Sequence, residues 1–300
     1  MKRFYKITAI ILAIVLLLSA ACVNFSAATI FESDGFYYSL ASSTTANLHG
    51  RESEDADLII PKEFNEHYVV NIVDSAFIGD SNIETLSFSN AILLERIGYY
   101  AFRGCANLSG EVTFGGRISN VGTSAFEGCT SLESVAFRSY VSNISNQCFY
   151  NCTSLSNVEL NDKVQTIGKY AFANCTSLEY VEIPSSVTSI NSTAFDGDEN
   201  LTLGVWYDSY AYQYAKDNNI SYVLLDGAKL GETDGDGSVN INDVTTIQRY
   251  LAELETLEGI YLHAADANQD GTVDIADATA IQMYLAEYEM DYPIGEVMTQ

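Results

Sequence analysis

Two short acidic stretches hold the side chains with the clearest chemistry. The first reads Glu232-x-Asp234-x-Asp236-Gly237-Ser238-x-Asn240-x-x-Asp243, and the second, 34 residues further on, reads Asp266-x-Asn268-x-Asp270-Gly271-Thr272-x-Asp274-x-x-Asp277. Alternate residues of a tight loop face one centre, so each stretch aims four carboxylates and one carboxamide at a single point. Calcium takes six to eight oxygens, and a glycine at the sixth position permits the sharp turn that such a loop needs. Ser238 and Thr272, at the seventh position, would lend backbone oxygens. Asp243 and Asp277 would close the sites while starting the helices that follow. The expectation is two bound Ca2+ ions. An ordinary Asp-Gly hairpin would explain one such stretch. It does not explain two with the same spacing, each followed by apolar residues at helical intervals: Val244, Ile247 and Leu251, then Ala278, Ile281 and Leu285.

The two stretches are internal duplicates, since Tyr250-Leu251-Ala252 recurs as Tyr284-Leu285-Ala286. Each is an EF-hand-like loop leading into one helix, and each ends in Asp rather than Glu. Duplicated loops of this kind resemble dockerin domains, over residues 227–300. The resemblance implies a small all-α, paired EF-hand-like dockerin domain that docks on a cohesin module of a cellulosome-type scaffold. It also implies that loop positions 10 and 11 and the early part of each helix touch the cohesin. Those residues are Ile241, Asn242, Gln248 and Arg249 in one half, and Ile275, Ala276, Gln282 and Met283 in the other. Ile and Gln coincide, which implies two similar faces related by about half a turn, whereas Arg249 against Met283 and Asn242 against Ala276 break the match. Glu232 stands where the dockerin pattern has Asp, and its extra methylene is expected to weaken calcium binding at the first site.

Most of the chain before these loops is a repeat. An Ala-Phe or Cys-Phe pair falls at Ala76-Phe77, Ala101-Phe102, Ala125-Phe126, Cys148-Phe149, Ala171-Phe172 and Ala194-Phe195, with spacings of 25, 24, 23, 23 and 23 residues. A fixed period near 23 predicts a solenoid. Within the unit at Ala171, Cys175 and Leu178 follow at steps of three, then Val181 and Ile183, and finally Val187 and Ile190. The Val-x-Ile step has period two and predicts one short strand per unit, where an amphipathic helical array would show steps of three and four. A single coil cannot bury its own apolar side, so the copies must stack, with their strands in a parallel ladder and their phenylalanines in an internal column. The spelling AFxxCxxLxxVxIPxSVxxIxxxAF resembles the BspA-like leucine-rich repeats over about residues 57–226. That family's solenoids are surface or secreted binding modules, which implies binding rather than catalysis here. Gly98 and Gly168 keep the family's Ile-Gly step, while Ser145 and Asn191 replace it.

The fold class expected is therefore an α+β repeat, a leucine-rich-repeat solenoid with a parallel β ladder, followed by the paired-loop region. Residues 29–226 form the solenoid with its terminal caps. Residues 29–57 are irregular and read as an N-terminal cap. Residues 196–226 read as a C-terminal cap, with a short helix from Ser209 to Lys216 and a last strand from Ile220 to Leu225. Strand residues that alternate outward, namely Glu133, Ala136, Glu159, Glu179, Tyr180 and Glu182, form a candidate face for an unknown protein or glycan ligand. Solubilising the surface is the plainer role for its acids.

Composition narrows the partners. A formal charge of -26 and a pI near 4.1 exclude nucleic acid and anionic membrane surfaces as natural ligands and favour cations. The change at Gly227 is abrupt, because residues 227–300 hold 15 Asp or Glu against 2 Lys or Arg, half of the net charge. Lys2, Arg3 and Lys6 precede an apolar run from Ile7, and Ser26-Ala27-Ala28 offers a cleavage site, so residues 1–28 read as an export signal and the product as secreted, with no membrane span after processing. Lipid anchoring at Cys22 is disfavoured because Ser19 stands where an aliphatic residue is wanted. Cys105, Cys129, Cys152 and Cys175 share one repeat position, which predicts small buried residues rather than disulfides or a metal site. His49, His67 and His263 have no zinc-ligand spacing. No GxSxG, HExxH or P-loop pattern occurs, so a non-catalytic adaptor is expected. The alternative is an accessory or catalytic subunit in polysaccharide degradation, the usual company of dockerins.

Overall fold

The computed structural model describes residues 29–298 apart from 226 and 228, so the expected export signal and Cys22 lie outside the described residues. A β-solenoid fills most of the chain, with parallel strands repeating once per coil. On one side Gly110–Phe114, Leu132–Phe137 and Asn157–Glu159 pair in parallel, with Val112, Val135 and Val158 in register. Tyr180–Glu182, Thr202–Val205 and Ser221–Leu224 continue the pattern. A second ladder runs along another side of each coil. It is made of two-residue strands such as Asn143–Ile144, Thr166–Ile167 and Ser189–Ile190, which align Ile144, Ile167 and Ile190. Two strands per coil replace the single one expected from sequence. Two residues cannot display a period of two, so the shorter strand had no pattern to show.

The internal column forms. The rings of Phe77, Phe102, Phe126, Phe149, Phe172 and Phe195 stack in series, with centroids 5.1, 5.1, 5.6, 5.4 and 5.4 Å apart. Phe88, Phe114 and Phe137 make a second stack, and Phe114 and Phe137 meet Phe149 edge-on. Offset and edge contacts of this kind add to what ring burial alone contributes. The residue two places before each of five column phenylalanines takes a left-handed backbone: Ser75, Tyr100, Ser124, Gln147 and Tyr170 have φ between 54° and 60°. None is glycine, and nothing in their types announced the turn. Gly122 is required for a different reason, since a Cβ there would lie 2.6 Å from the Gly98 carbonyl carbon of the preceding coil.

The cysteine position makes a third column. All five described cysteines are buried and unpaired. Each of Cys105, Cys129, Cys152 and Cys175 directs its Sγ at the carbonyl oxygen of the phenylalanine one coil back, Phe77, Phe102, Phe126 and Phe149, at 3.1–3.2 Å. A small weak donor thus sits beside a buried carbonyl. Burial pushes the Cys105 thiol up to about 12 and holds Cys129, Cys152 and Cys175 well above the usual thiol range, so none is a thiolate at neutral pH. Asp80 and Asp198 occupy the same position at the two ends. Asp80 is paired with Arg51 at 3.0 Å. Asp198 has no such ion pair, and both of its carboxylate oxygens are closed off from solvent.

The ends are capped as stacking demands. Residues 31–51, read as irregular from sequence, form an antiparallel meander of Phe31–Ser33, Phe36–Leu40 and Thr45–Arg51. Its last strand pairs in parallel with His67–Ile72, converting meander into solenoid. At the other end lies α1 (Tyr210–Asp217), whose N-cap Ser209 accepts from the Tyr212 N–H and which buries Ala211, Tyr212, Tyr214 and Ala215. Three further helices follow: α2 (Ile241–Leu251), α3 (Gly259–Ala264) and α4 (Ile275–Leu285). Val244, Ile247, Ala278 and Ile281 are buried where α2 meets α4. This helical region leans on the solenoid cap, with His263 stacked on Tyr207 at 5.6 Å and the Leu224 N–H donating to the Met298 carbonyl at 3.3 Å.

One expected outward position is corrected. Ala136 is fully buried, because its short side chain lies between Thr113 and Glu159 on neighbouring strands, and Arg138 bonds Glu159 alongside it. Glu133, Glu159, Glu179, Tyr180 and Glu182 are exposed.

Two outcomes follow. Phe172→Ala opens a cavity between two rings and costs about 3–5 kcal/mol, whereas Glu182→Ala changes stability by less than about 0.5 kcal/mol. Equal melting temperatures for the two variants would reverse the inward and outward assignment. Burial, reinforced by Asp196, holds the Asp198 carboxyl up at about 7. The unfolded chain therefore releases this proton first, and stability falls as pH rises from about 4 to about 7. Melting curves of Asp198→Asn should match the wild type near pH 4 and exceed it at pH 8. A constant difference at both pH values would refute the burial.

Candidate metal centres and docking face

Both acidic loops are organised by the aspartate at their twelfth position. Asp243 and Asp277 are fully buried and lie in the first turns of α2 and α4. Asp243 Oδ1 accepts from the Thr233 and Asp234 N–H groups at 2.6 and 3.3 Å, and Oδ2 from the Asn240 N–H at 2.7 Å. Asp277 repeats this, accepting from the Asn268 and Asp274 N–H groups at 3.0 and 2.8 Å. Asn240 and Asp274 return the favour as N-caps, completing a capping box at each helix start. One residue therefore caps the helix and pins the beginning of the loop to its end. Burial pushes the Asp277 carboxyl up, opposed by those same N–H groups.

Position 1 differs between the loops. Asp266 accepts from the Asp270 and Gly271 N–H groups at 3.0 and 2.9 Å. The longer Glu232 is accommodated by folding inward: it is 3% exposed, and its Oε1 accepts from the Gly235 N–H at 2.6 Å. Burial raises the Glu232 carboxyl, partly offset by these bonds. At position 5, Asp270 is held below the usual carboxylate range by the Thr272 hydroxyl and N–H.

The donor sets fit a hard divalent cation. Carboxylate oxygens of Glu232, Asp234 and Asp236 lie within 4.8 Å of one another, and no softer ligand stands among them. Gly237 and Gly271 have φ of 80° and 90°, the left-handed turn that the sixth position requires. The seventh-position residues Ser238 and Thr272 follow those glycines, and their N–H groups donate to Asp236 and Asp270. Position 9 separates the loops. The single carbonyl oxygen of Asn240 is engaged by the Asn242 N–H and its Nδ2 faces Asp236, whereas Asp274 brings two carboxylate oxygens, one of them accepting from the Ala276 N–H.

The eight residues expected to touch a partner are all exposed: Ile241, Asn242, Gln248 and Arg249 on α2, and Ile275, Ala276, Gln282 and Met283 on α4. Ile241 and Ile275 are 58% and 60% exposed, unusual for isoleucine and equal in both halves. Arg249 is joined to Glu255 at 2.9 Å, an ion pair that the α4 face has no counterpart for at Met283. Leu251 and Leu285, read from sequence as inward members of the helical pattern, are 39% and 38% exposed instead. They lie three residues beyond Gln248 and Gln282, so they share the outward face with them. The duplication of Tyr-Leu-Ala was the signal available for these two.

The loops make a metal-independent prediction. In calcium-free buffer Asp243→Ala leaves buried N–H groups without acceptors and lowers stability by about 1–3 kcal/mol. Asp236→Ala relieves a cluster of like charges while giving up only exposed bonds from the Ser238 N–H and Asn240 Nδ2, and should lower it by less. Chemical denaturation of both variants decides, and an equal loss would contradict the division of roles.

Residues 70–202 match the BspA type leucine rich repeat region in six copies, and residues 230–286 match the dockerin type I domain. Among solved structures, a leucine-rich repeat protein of T. pallidum is 22% identical, with a TM-score of 0.38, covering 59% of this chain and 72% of that one. One from Eubacterium ventriosum is 24% identical with a TM-score of 0.43, covering 53% of this chain and 49% of that one. A third, from Bacteroides ovatus, is 19% identical with a TM-score of 0.30, covering 60% and 66%. No curated protein matches the chain. The chain carries BspA-type leucine-rich repeats followed by a type I dockerin domain.

Proposed function

We propose that this is a secreted, non-catalytic adaptor that docks through its duplicated loops and helices on a cohesin module of a cellulosome-type scaffold while its solenoid engages a separate protein or glycan. The observation that carries this reading is the paired, outward-facing set on α2 and α4, with Ile241 and Gln248 repeated by Ile275 and Gln282 above two acidic loops. Exposed isoleucines set among polar residues are what a partner surface would cover. Calcium, when bound, supplies the positive charge that lets the loop carboxylates share a centre. In that state Asp234, Asp236 and Glu232 would hold one ion, and Asp266, Asp270 and Asp274 the other. Asp243 and Asp277 would keep the helix starts, and so the docking residues, in place. Among the described residues no helix is long and apolar enough to cross a membrane.

The similarity of the two faces supports docking in either of two orientations. Replacing Ile241 and Gln248 by charged residues should leave cohesin affinity within about tenfold, as should replacing Ile275 and Gln282, while changing all four should abolish it. Calorimetry against a type I cohesin reads all three. Loss of binding from one double change alone would eliminate the second orientation.

A further inference from the structure

A hollow of about 290 Å3 opens on the turn side of the solenoid, lined by Gln147, Tyr150, Tyr170, Ala173, Asn174 and Asp196. It arises from the repeat itself. Tyr150, Ala173 and Asp196 each follow a column phenylalanine directly, on three successive coils joined by backbone bonds from Asn151 N–H to the Ala173 carbonyl and from Asn174 N–H to the Asp196 carbonyl. A buried alanine between two large side chains leaves a gap. On earlier coils the same position holds Arg103 and Glu127, which close on each other at 2.8 Å, with Arg103 also over the Tyr100 ring. That part of the surface satisfies itself. Around Ala173 it does not: among the described residues, the amides of Gln147 and Asn174, the Asp196 carboxylate and the Tyr150 and Tyr170 hydroxyls form no side-chain hydrogen bond or ion pair.

We propose that this hollow binds a neutral pyranose unit of a glycan. The two tyrosine rings lie 6.2 Å apart and tilted by 55°, so they form a wedge of aromatic faces rather than a closed stack. Aromatic faces carry negative potential and attract the weakly positive C–H face of a sugar ring. The surrounding amides donate and accept, the carboxylate accepts, and the phenol groups do both, which matches the paired donor and acceptor character of sugar hydroxyls. An anionic ligand would meet Asp196 in a chain of net charge -26. The Lys169 ammonium is held over the Tyr170 ring at 4.9 Å. A wholly apolar ligand would strand the amides. The volume, at the low end of the ~300–1,000 Å3 of small-molecule sites, suits one or two sugar units. This site lies off the strand face and goes beyond the docking role, on which it does not depend.

The test is calorimetry of the full chain with cellohexaose, xylohexaose, mannohexaose and chitohexaose, and with oligogalacturonate as the acidic control. At least one neutral oligosaccharide should bind, and Tyr150→Ala should weaken it at least ~10-fold, equivalent to about 1.4 kcal/mol. Ala173→Glu should weaken it equally by filling the hollow. Glutamate at the equivalent position 127 is paired with Arg103, a partner that position 173 lacks beside Asp196, so the melting temperature of this variant is read alongside its binding. Glu182→Ala, on the strand face, should bind as the wild type does. Failure of all four neutral probes, binding of oligogalacturonate alone, or binding that survives both Tyr150→Ala and Ala173→Glu would overturn the proposal.

Discussion

Six phenylalanine rings stacked one per coil are the contact on which the rest of the solenoid depends. A coil of about 23 residues has too little interior to fold alone, so each ring is buried only by its neighbours. That single requirement sets the period, aligns both parallel ladders, and brings Cys105, Cys129, Cys152 and Cys175 beneath successive phenylalanine carbonyls. It also creates the problem of the ends. A meander closes one, and Arg51 neutralises the first aspartate of the cysteine column. The helix α1 closes the other and leaves Asp198 enclosed without a cation, which makes the C-terminal cap a pH-sensitive end of the stack.

The dockerin region is governed by charge instead. Its core gathers Val244, Ile247, Ala278 and Ile281 with Leu230, Leu257 and Ile294, and the region carries half the net charge of the chain. Buried aspartates at the starts of α2 and α4 hold loop and helix together through backbone N–H groups, so that arrangement stands on hydrogen bonds before any ion is considered. The remaining carboxylates repel one another, and a cation between them would turn that repulsion into the strongest local attraction. Contacts of Tyr207 with His263 and of Leu224 with Met298 join this region to the solenoid cap.

What was legible in the sequence was whatever repeats. The Ala-Phe period announced the solenoid, the Val-x-Ile step announced one ladder, and the twin Asp-Gly loops announced the helices behind them. What escaped was set by neighbours in space. The second ladder uses two-residue strands that show no periodicity. The N-terminal meander alternates too briefly among serines and threonines to read as strands, and the six-residue α3 is too short for helical spacing to declare itself. Ala136 points outward but is covered by Thr113 and Glu159, residues 23 positions away on either side. Leu251 and Leu285 fit the inward pattern of their helices, yet each is the last residue of its helix and stands exposed. The hollow at Ala173 is the same lesson in reverse, because a residue that reads as filler is defined by the size of Tyr150 and Asp196 beside it.

The most direct test of the account is sedimentation velocity of the protein mixed with a type I cohesin, first in calcium and then after chelation. The expected result is a one-to-one complex in calcium that separates into its components when the ion is withdrawn. A complex that persists unchanged in chelator, or none in calcium, would contradict it.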